Sequence, residues 1–239
     1  MIDKKRENNV VELPYLRDRV HIFRDRHQAG EVLADLLENY RHTDALVLGI
    51  PSGGVPVAVA VAHRLGLDFD VAVTSKITLP WNTEVGYGGV AFDGTVVLNG
   101  DVLPHMGLTQ AQIDAGIERT REKVARRLQL LRGEEPLPPL VGRTVILVDD
   151  GLATGSTVHV TAIALRKANV ENLVVAVPTG HQDTVVRVAR EVEFLYCANI
   201  RGGWRFAVAE AYEHWFDMEE AEVADILAVH RSAVHQHHG

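Results

Sequence analysis

The sequence predicts an α/β fold in which helices flank a central parallel sheet. Short apolar runs of strand length alternate with longer segments whose apolar residues recur at helical spacing. In chains with this alternation, helices cover both faces of a parallel sheet. Neither an internal repeat nor a low-complexity linker divides the 239 residues, so we expect one domain that spans residues 1–239.

The first predicted elements are two helices and two strands. In Arg24–Tyr40 the apolar residues recur three and four positions apart, as in an amphipathic helix. Ala45–Ile50 is an apolar run that ends before a proline, which indicates a buried strand. The apolar segment Val55–Leu65 then predicts a helix, and Phe69–Val73 predicts the second strand.

The middle of the chain departs from this alternation. Thr78–Gly89 is rich in Pro, Trp, Asn and Gly and has no period, so we expect a loop there. The dipeptide Asp93-Gly94 lies between two short apolar runs, which is typical of a β-hairpin. Thr109–Arg132 has one apolar face and predicts a long helix, and the proline-containing segment Gly133–Gly142 predicts a connector.

The C-terminal part of the chain returns to alternating strands and helices. The expected strands are Val145–Val148, Leu173–Val177 and Phe194–Cys197. The expected helices are Ser156–Ala168, Asp183–Glu191 and Glu219–Val229. We expect the His-rich tail, residues 230–239, to be disordered.

Composition argues against several classes of protein. The formal net charge is −8, whereas affinity for nucleic-acid backbones requires clustered Lys and Arg. No apolar run is long enough to predict a membrane-spanning helix, and the charged N-terminus lacks the apolar region of a secretory signal. Cys197, the one cysteine, lies in an apolar run, which favours a buried structural thiol over a catalytic one. These observations predict a cytoplasmic protein.

The most informative segment is Val145–Thr157, with the sequence Val-Ile-Leu-Val-Asp-Asp-Gly-Leu-Ala-Thr-Gly-Ser-Thr. Four apolar residues predict a strand, and Asp149 and Asp150 follow at its carboxyl end, where open α/β sheets bind ligands. The next residues are mostly small or carry hydroxyls and lead directly into a helix, whose N-terminal N–H groups and dipole attract an anion. Gly151 and Gly155 let the backbone approach a phosphate closely.

This pattern suits a ligand that carries a diol a few ångströms from a phosphate, such as ribose 5-phosphate. The diol would donate hydrogen bonds to the two carboxylates, and the loop would hold the phosphate. The segment lacks the Gly-Lys-Ser/Thr ending of a Walker A loop, and the chain has no Gly-x-Gly-x-x-Gly motif. An ordinary strand–loop–helix with two surface acids is the alternative, and it would explain either half of the segment alone.

The segment is similar to the motif with which type I phosphoribosyltransferases bind 5-phosphoribosyl pyrophosphate (PRPP). More closely, the chain resembles a bacterial and archaeal family of predicted phosphoribosyltransferases. That family shows Pro-Arg-Gly-Gly-Val-Pro-Val-Ala, then a Lys followed by an Asn-x-Glu loop, then Val-Asp-Asp-Gly-x-Ala-Thr-Gly. Here Pro51–Ala58 matches the first pattern except at one residue, and Lys76 with Asn82-Thr83-Glu84 matches the second.

The resemblance implies a type I phosphoribosyltransferase-like fold with two additions to the central sheet. The core would span about residues 22–228. A flexible lid loop and hairpin would occupy about residues 76–100, and a long helical insertion about residues 105–140.

The resemblance also assigns roles to individual residues. Asp149 and Asp150 would hold the ribose 2′ and 3′ hydroxyls and are candidate Mg²⁺ ligands, although PRPP itself would bind most of the metal. Lys76 would neutralise the diphosphate as a point charge, and Glu84 would help to position substrate or metal. The phosphates would be bound by residues of two loops, Ser52, Gly53, Gly54, Gly151, Leu152, Ala153, Thr154, Gly155, Ser156 and Thr157.

Several of these residues also have ordinary structural explanations. Gly53 and Gly54 suit a tight strand-to-helix turn, and Lys76 or Glu84 taken alone suits a solvated side chain. Trp204 or Phe206 could stack on the acceptor base, although residues of this kind more often serve in packing.

Two positions depart from the family pattern. Ser52 stands where the family usually has Arg, and Ser75 where it often has a second basic residue. The loss of two cations that could have met pyrophosphate weakens the case for catalysis more than the case for binding ribose 5-phosphate. Arg201 could supply charge from another strand end, or it could lie in a surface loop.

The sequence therefore favours an Mg²⁺-dependent transferase that moves the phosphoribosyl group of PRPP to a small nitrogenous acceptor and releases pyrophosphate. A second hypothesis is a regulatory protein of the same fold that binds PRPP or a nucleotide without transfer. A third is an unrelated sugar-phosphate enzyme with the same loop. Related proteins are usually dimers, so the resemblance implies a homodimer, with no nucleic-acid or membrane partner.

Overall fold

The computed structural model describes the backbone of residues 9–237 and the side chains of residues 9–82 and 85–230. The strands of this part are β1 (Val10–Val11), β2 (Leu46–Gly49), β3 (Asp68–Val71), β4 (Thr74–Leu79), β5 (Asn82–Ala91), β6 (Val96–Leu98), β7 (Thr144–Val148), β8 (Asn172–His181) and β9 (Phe194–Arg201). The helices are α1 (Arg26–Leu36), α2 (Gly54–Leu65), α3 (Gln110–Arg132), α4 (Ser156–Lys167), α5 (Gln182–Ala189) and α6 (Glu220–His237).

Six of the strands form the central sheet, in the spatial order β1-β9-β8-β7-β2-β3. Every neighbouring pair in this sheet runs parallel. Parallel strands need crossover connections, which the helices provide. The predicted α/β class with a central parallel sheet is confirmed.

Both faces of the central sheet are buried, which explains why its strands are continuous apolar runs. Alternate residues of a strand point to opposite faces. Leu46 and Leu48 of β2 contribute to a core on the face covered by α4 and α5. Val47, between them, contributes to a second core under α1 and α2. The sheet edge at the carboxyl ends of the strands is therefore held rigidly from both sides.

Helices α1 and α3 begin at side chains that cap them. Asp25 precedes α1, and its side chain accepts a hydrogen bond from the Gln28 N–H. Thr109 and Gln112 form a capping box at the start of α3, where each side chain bonds the backbone N–H of the other. Within the described residues no helix is long and apolar enough to cross a bilayer.

The segment Thr78–Gly89 is not the loop that its composition predicts. It forms most of a hairpin, in which β4 and β5 pair antiparallel and turn at Pro80-Trp81. The hairpin at Asp93-Gly94 is confirmed, and it adds β6 to the other edge of β5. The three strands form a separate sheet in the order β4-β5-β6.

The glycines of β5 caused the error, because they suit close packing rather than a flexible turn. A Cβ at Gly88 would lie 2.5 Å from the Val97 carbonyl oxygen, and a Cβ at Gly89 would lie 2.9 Å from Val160 Cγ1. Immediately before these glycines, Tyr87 is fully buried in a third core that includes residues of α3 and α6. The hairpin is therefore a packed layer between α3 and α4.

Four further elements differ from the prediction. β1 lies in a stretch that the sequence leaves undetermined. β8 and β9 continue to His181 and Arg201, beyond the apolar runs that predict them. α6 continues to His237 rather than ending at Val229, and the side chains after His230 lie outside the described residues.

Candidate functional site

Two loops meet at the carboxyl end of the central sheet. β2 and β7 are neighbours, and the Ile50 N–H donates to the Val148 carbonyl oxygen over 2.8 Å, so the segments after both strands lie side by side. The fit is close, since a Cβ on Gly53 would lie 1.8 Å from Asp150 Oδ2. A Cβ on Gly54 would lie 2.7 Å from the Val148 carbonyl oxygen. Only glycine at these positions lets the two loops approach each other without displacement.

Asp149 is the more strongly perturbed of the two predicted carboxylates. Its Oδ1 accepts the Asp150 N–H at 2.9 Å, and its Oδ2 accepts the Thr157 hydroxyl at 3.4 Å. Burial raises the pKa of Asp149 well above its ordinary value, and the neighbouring Asp150 adds to the rise while Lys76 opposes it. A partly buried carboxyl between two loops is suited to accept hydrogen bonds from a polar ligand.

Asp150 is held by a partner that the sequence analysis missed. Arg26, at the start of α1, places both Nε and Nη2 at 2.9 Å from Asp150 Oδ2. The guanidinium carbon also lies 3.9 Å from the centre of the Trp215 ring, and Nη1 donates to the Phe216 carbonyl oxygen at 2.9 Å. Burial raises the pKa of Asp150, and Arg26 opposes that rise. The ion pair therefore fixes the orientation of this carboxylate.

Tyr212 supports the same loop from the C-terminal segment. Its hydroxyl donates to the backbone carbonyl oxygen of Asp150 over 2.6 Å, and the side chain is fully buried. The sequence analysis assigned no role in the site to Arg26 or Tyr212, because neither residue is adjacent in sequence to the loops that it supports.

The phosphate loop predicted after Asp150 leads into α4 as expected. Gly155 adopts a left-handed conformation with φ of 69°, and α4 begins at the next residue, Ser156. The Oγ atoms of Thr154 and Ser156 lie 3.1 Å apart. The loop thus presents hydroxyls and a helix N-terminus at the same edge as the carboxylates.

Other parts of the protein hold this loop in position. Thr184 donates to the Ala153 carbonyl oxygen at 2.7 Å, and Arg187 Nη2 donates to that of Thr154 at 2.5 Å. Leu152 differs from its neighbours, because its side chain is buried and its N–H donates to the Thr179 carbonyl oxygen at 2.9 Å. Leu152 therefore serves in packing, and its N–H is not free to donate a hydrogen bond to a phosphate.

Lys76 and Pro51 line a cavity of about 470 Å³ beside the two loops. Ser52, the residue after Pro51, lies outside that lining. The exposed Lys76 belongs to β4, opposite Gly89 of β5, and its ammonium opposes the rise in the pKa of Asp149. Glu84, which is expected to help position substrate or metal, has its backbone in β5, and its side chain lies outside the described residues.

The cavity is also lined by a cationic side chain, Arg127, that the sequence analysis missed. Arg127 of α3 is buried, and its Nη2 donates to Ser52 Oγ at 3.3 Å while its Nη1 donates to Ser75 Oγ at 3.4 Å. The Nε atom lies 2.7 Å from Glu220 Oε1 of α6. The two serines that depart from the family pattern are thus joined by one guanidinium.

The predicted base-stacking residues are not among those that line this cavity. Trp204 is 85% exposed, with the Arg205 guanidinium 4.2 Å from its ring centre. Phe206 lies 5.1 Å from the guanidinium of Arg201. Arg201 itself is buried and pairs with Glu210 at 2.5 Å, so it neither lies in a free surface loop nor supplies an unpaired charge.

The site offers oxygen ligands of the kind that Mg²⁺ prefers. Within the described residues, no group of three His, Cys, Asp or Glu side chains could hold a metal ion. The adjacent carboxylates of Asp149 and Asp150 fit a cation that takes most of its other ligands from substrate and water, as Mg²⁺ often does.

Comparison with known proteins identifies the family of the chain. The family model of the phosphoribosyl transferase domain matches residues 25–211. A provisionally named phosphoribosyl transferase of Mycobacterium tuberculosis is 35% identical over 206 residues, which are 86% of this chain and 46% of that protein. The chain thus spans about half the length of that curated relative. The bifunctional protein PyrR of Corynebacterium efficiens is 30% identical over 191 residues, which are 77% of this chain and 78% of that protein.

A solved structure supports the same assignment. The crystal structure of TT1426 from Thermus thermophilus is 32% identical, covers 86% of this chain and 97% of its own, and superposes with a TM-score of 0.69. The matched residues 25–211 include both loops and both carboxylates of the site. The chain therefore belongs to the phosphoribosyl transferase domain family.

Proposed function

We propose that the protein transfers the 5-phosphoribosyl group of PRPP to a small nitrogenous acceptor and releases pyrophosphate. One observation carries the proposal. Two carboxylates, the N-terminus of helix α4 and a cavity lined by cations adjoin one another at a single sheet edge. PRPP has the matching parts, which are a diol, a 5-phosphate and a diphosphate.

Each part of the site has a distinct task in this proposal. Asp149 accepts a hydrogen bond from a ribose hydroxyl, and the loop from Gly151 to Thr157 holds the 5-phosphate at the start of α4. Lys76 faces the diphosphate. A Mg²⁺ ion bound with PRPP would neutralise charge that develops on the diphosphate as it leaves. Most of the rate enhancement would come from positioning and from charge stabilisation.

The alternative is a protein that binds PRPP or a nucleotide and transfers nothing. The engagement of Asp150 by Arg26 favours this alternative, because Oδ2 already accepts the Arg26 Nε–H at 2.9 Å and lies 2.9 Å from Nη2. A ribose hydroxyl would have to use Oδ1 of Asp150 or displace part of this network. Lys76 on the cavity wall favours the enzyme.

Two measurements distinguish these functions. The first is calorimetric binding of PRPP with Mg²⁺ to the wild type, to Asp149→Asn and to the control Asp35→Asn, whose carboxylate is 64% exposed. We expect Asp149→Asn to weaken binding at least about tenfold, as the loss of a charged hydrogen-bond acceptor does, and Asp35→Asn to have no effect. Unchanged binding by Asp149→Asn would contradict the assigned site.

The second measurement is pyrophosphate release from PRPP and Mg²⁺ with a panel of nucleobases and amines. Release with one acceptor supports the transferase. Binding of PRPP without release for any acceptor supports the regulatory alternative, and the absence of PRPP binding overturns both. The expected homodimer is tested independently by sedimentation of the purified chain.

A further inference from the structure

Helix α3 presents a stripe of basic residues to the cavity beside the candidate site. Arg119, Lys123 and Arg127 are four positions apart, so they share one face of the helix. All three line the 470 Å³ cavity, whose opposite wall is formed by Lys76 of β4 and the loop that begins at Pro51. Gly116 and Thr120 of the same helix face complete the α3 side.

The charges of this cavity are of one sign. Its lining has four cations, Lys76, Arg119, Lys123 and Arg127, and no carboxylate. Among the described side chains, no carboxylate lies within ion-pair distance of the first three, and only Arg127 is paired, with Glu220. Like charges four positions apart destabilise a helix. A cluster of cations is also unexpected in a chain whose net charge is −8. The arrangement therefore suits an anionic ligand.

The outer face of α3 shows the opposite arrangement. Arg121 lies 3.5 Å from Glu118, and Arg126 lies 4.0 Å from Glu122. These cations are exposed and each has an acid on the same helix. The helix thus pairs its outward cations and leaves two of those facing the cavity for another partner.

Arg127 connects the stripe to the loop after β2. Its guanidinium donates to Ser52 and Ser75, and also to the Thr74 carbonyl oxygen at 3.1 Å. The rigid fork of an arginine can hold several acceptors in fixed positions at once, which a lysine cannot. Arg127 therefore fixes where the two hydroxyls lie, while the exposed Arg119 and Lys123 remain able to contact a ligand.

The position of the cavity indicates which anion it receives. Pro51 and Thr157 both belong to its lining, and the Thr157 hydroxyl donates to Asp149. The cavity therefore adjoins the carboxylate proposed to hold the ribose. A ligand that fills both places carries a polyanion next to a ribose, and a diphosphate attached to ribose C1 meets this requirement.

We propose that α3 forms the diphosphate-binding wall of the site, with Arg119 and Lys123 in contact with the diphosphate and Arg127 as a positioning residue for Ser52 and Ser75. The proposal rests on the proposed function, because the ribose must lie at Asp149. It gives the protein a source of cations on the helix, in place of a basic residue in the loop itself.

The test compares two double variants of α3 that lose the same charge. Arg119→Gln/Lys123→Gln removes the inner cations, and Arg121→Gln/Arg126→Gln removes the outer ones. Calorimetry measures the binding of Mg²⁺-pyrophosphate and, separately, of ribose 5-phosphate. We expect the inner variant to weaken pyrophosphate binding at least about tenfold, and the outer variant less than about twofold, with ribose 5-phosphate binding unchanged in both.

Each other result has a definite meaning. Equal weakening by both variants would overturn the proposal, since it would indicate a general effect of charge that salt should screen. A parallel loss of ribose 5-phosphate binding in the inner variant would also overturn it. If the inner variant alone affects pyrophosphate but the wild type binds neither PRPP nor ribose 5-phosphate, the α3 anion site stands and the proposed function fails.

The role of Arg127 is tested by a double-mutant cycle. Ser52→Ala should weaken pyrophosphate binding severalfold in the wild type and have no further effect in Arg127→Lys, because the lysine no longer holds the hydroxyl. Additive effects, or unchanged binding by Arg127→Lys, would overturn the positioning role. Thermal unfolding verifies that Arg127→Lys is folded, and the inner and outer variants test the wall independently of Arg127.

Discussion

Replacement of Arg26 by Met tests how the site is held together. Arg26 and Asp150 are joined through two contacts of 2.9 Å, and their side chains are only 7% and 16% exposed. Methionine removes the cation and leaves a carboxylate beside Asp149 in a largely buried place. Removing one partner of a buried ion pair costs about 3–5 kcal/mol of stability. For a chain of this size we expect the melting temperature to fall by roughly 6–20 °C.

The loss should depend on pH in a defined direction. Burial raises the pKa of Asp150 above its ordinary 3.8, and Arg26 opposes the rise. A carboxyl whose pKa is higher in the folded state stabilises the fold when protonated, and this contribution is lost as pH rises through the folded pKa. Without Arg26 the folded pKa of Asp150 rises further. The penalty of Arg26→Met should therefore be largest at neutral pH and become smaller toward acid pH.

Urea unfolding of the wild type and the variant at several pH values measures both effects. The matched control is Arg64→Met, because Arg64 pairs with Asp35 at 2.6 Å with 46% and 64% of the two side chains exposed. An exposed pair contributes about 0–1 kcal/mol, so this control should lose little at any pH. Arg26→Met/Asp150→Asn should recover much of the lost stability, because it removes the uncompensated charge. Equal losses in Arg26→Met and Arg64→Met, or a pH-independent loss in Arg26→Met, would refute the reasoning.

Three further predictions concern single residues. Gly53→Ala places a Cβ 1.8 Å from Asp150 Oδ2, so we expect a loss of about 1–3 kcal/mol in urea unfolding and weaker PRPP binding, whereas Gly100→Ala, in open space, should change neither. Behaviour of Gly53→Ala like that of Gly100→Ala would contradict the close contact. Tyr212→Phe removes the 2.6 Å hydrogen bond to the Asp150 carbonyl oxygen and should cost about 1–3 kcal/mol in the same assay; no loss would show that the bond contributes nothing. Burial raises the pKa of the Cys197 thiol, so a disulfide reagent should modify it only after unfolding, and rapid labelling of the folded protein would contradict its burial.

Local patterns in the chain sufficed to predict the fold class and the position of the carboxylates. Val145–Thr157 is contiguous, so its strand, its two acids and its helix start are determined by neighbouring residues. The same local reasoning failed for β5, because its glycines have the composition of a loop. Glycine is needed at these positions because Val97 and Val160 approach the backbone of β5 closely. These contacts form only in the folded protein.

The sequence by itself determined the α/β class, the carboxyl-edge location of Asp149 and Asp150, and the absence of cations at Ser52 and Ser75. Only the tertiary structure decided which side chains complete the site. Arg26 reaches Asp150 across 124 positions of the chain, and Arg127 reaches Ser52 across 75. The spacing of Arg119, Lys123 and Arg127 places them on one helix face, but it does not specify what that face packs against. That neighbour is determined by the tertiary structure. The apolar residues of α3 are buried against the β4–β5 hairpin, and this packing orients the basic stripe toward the loops.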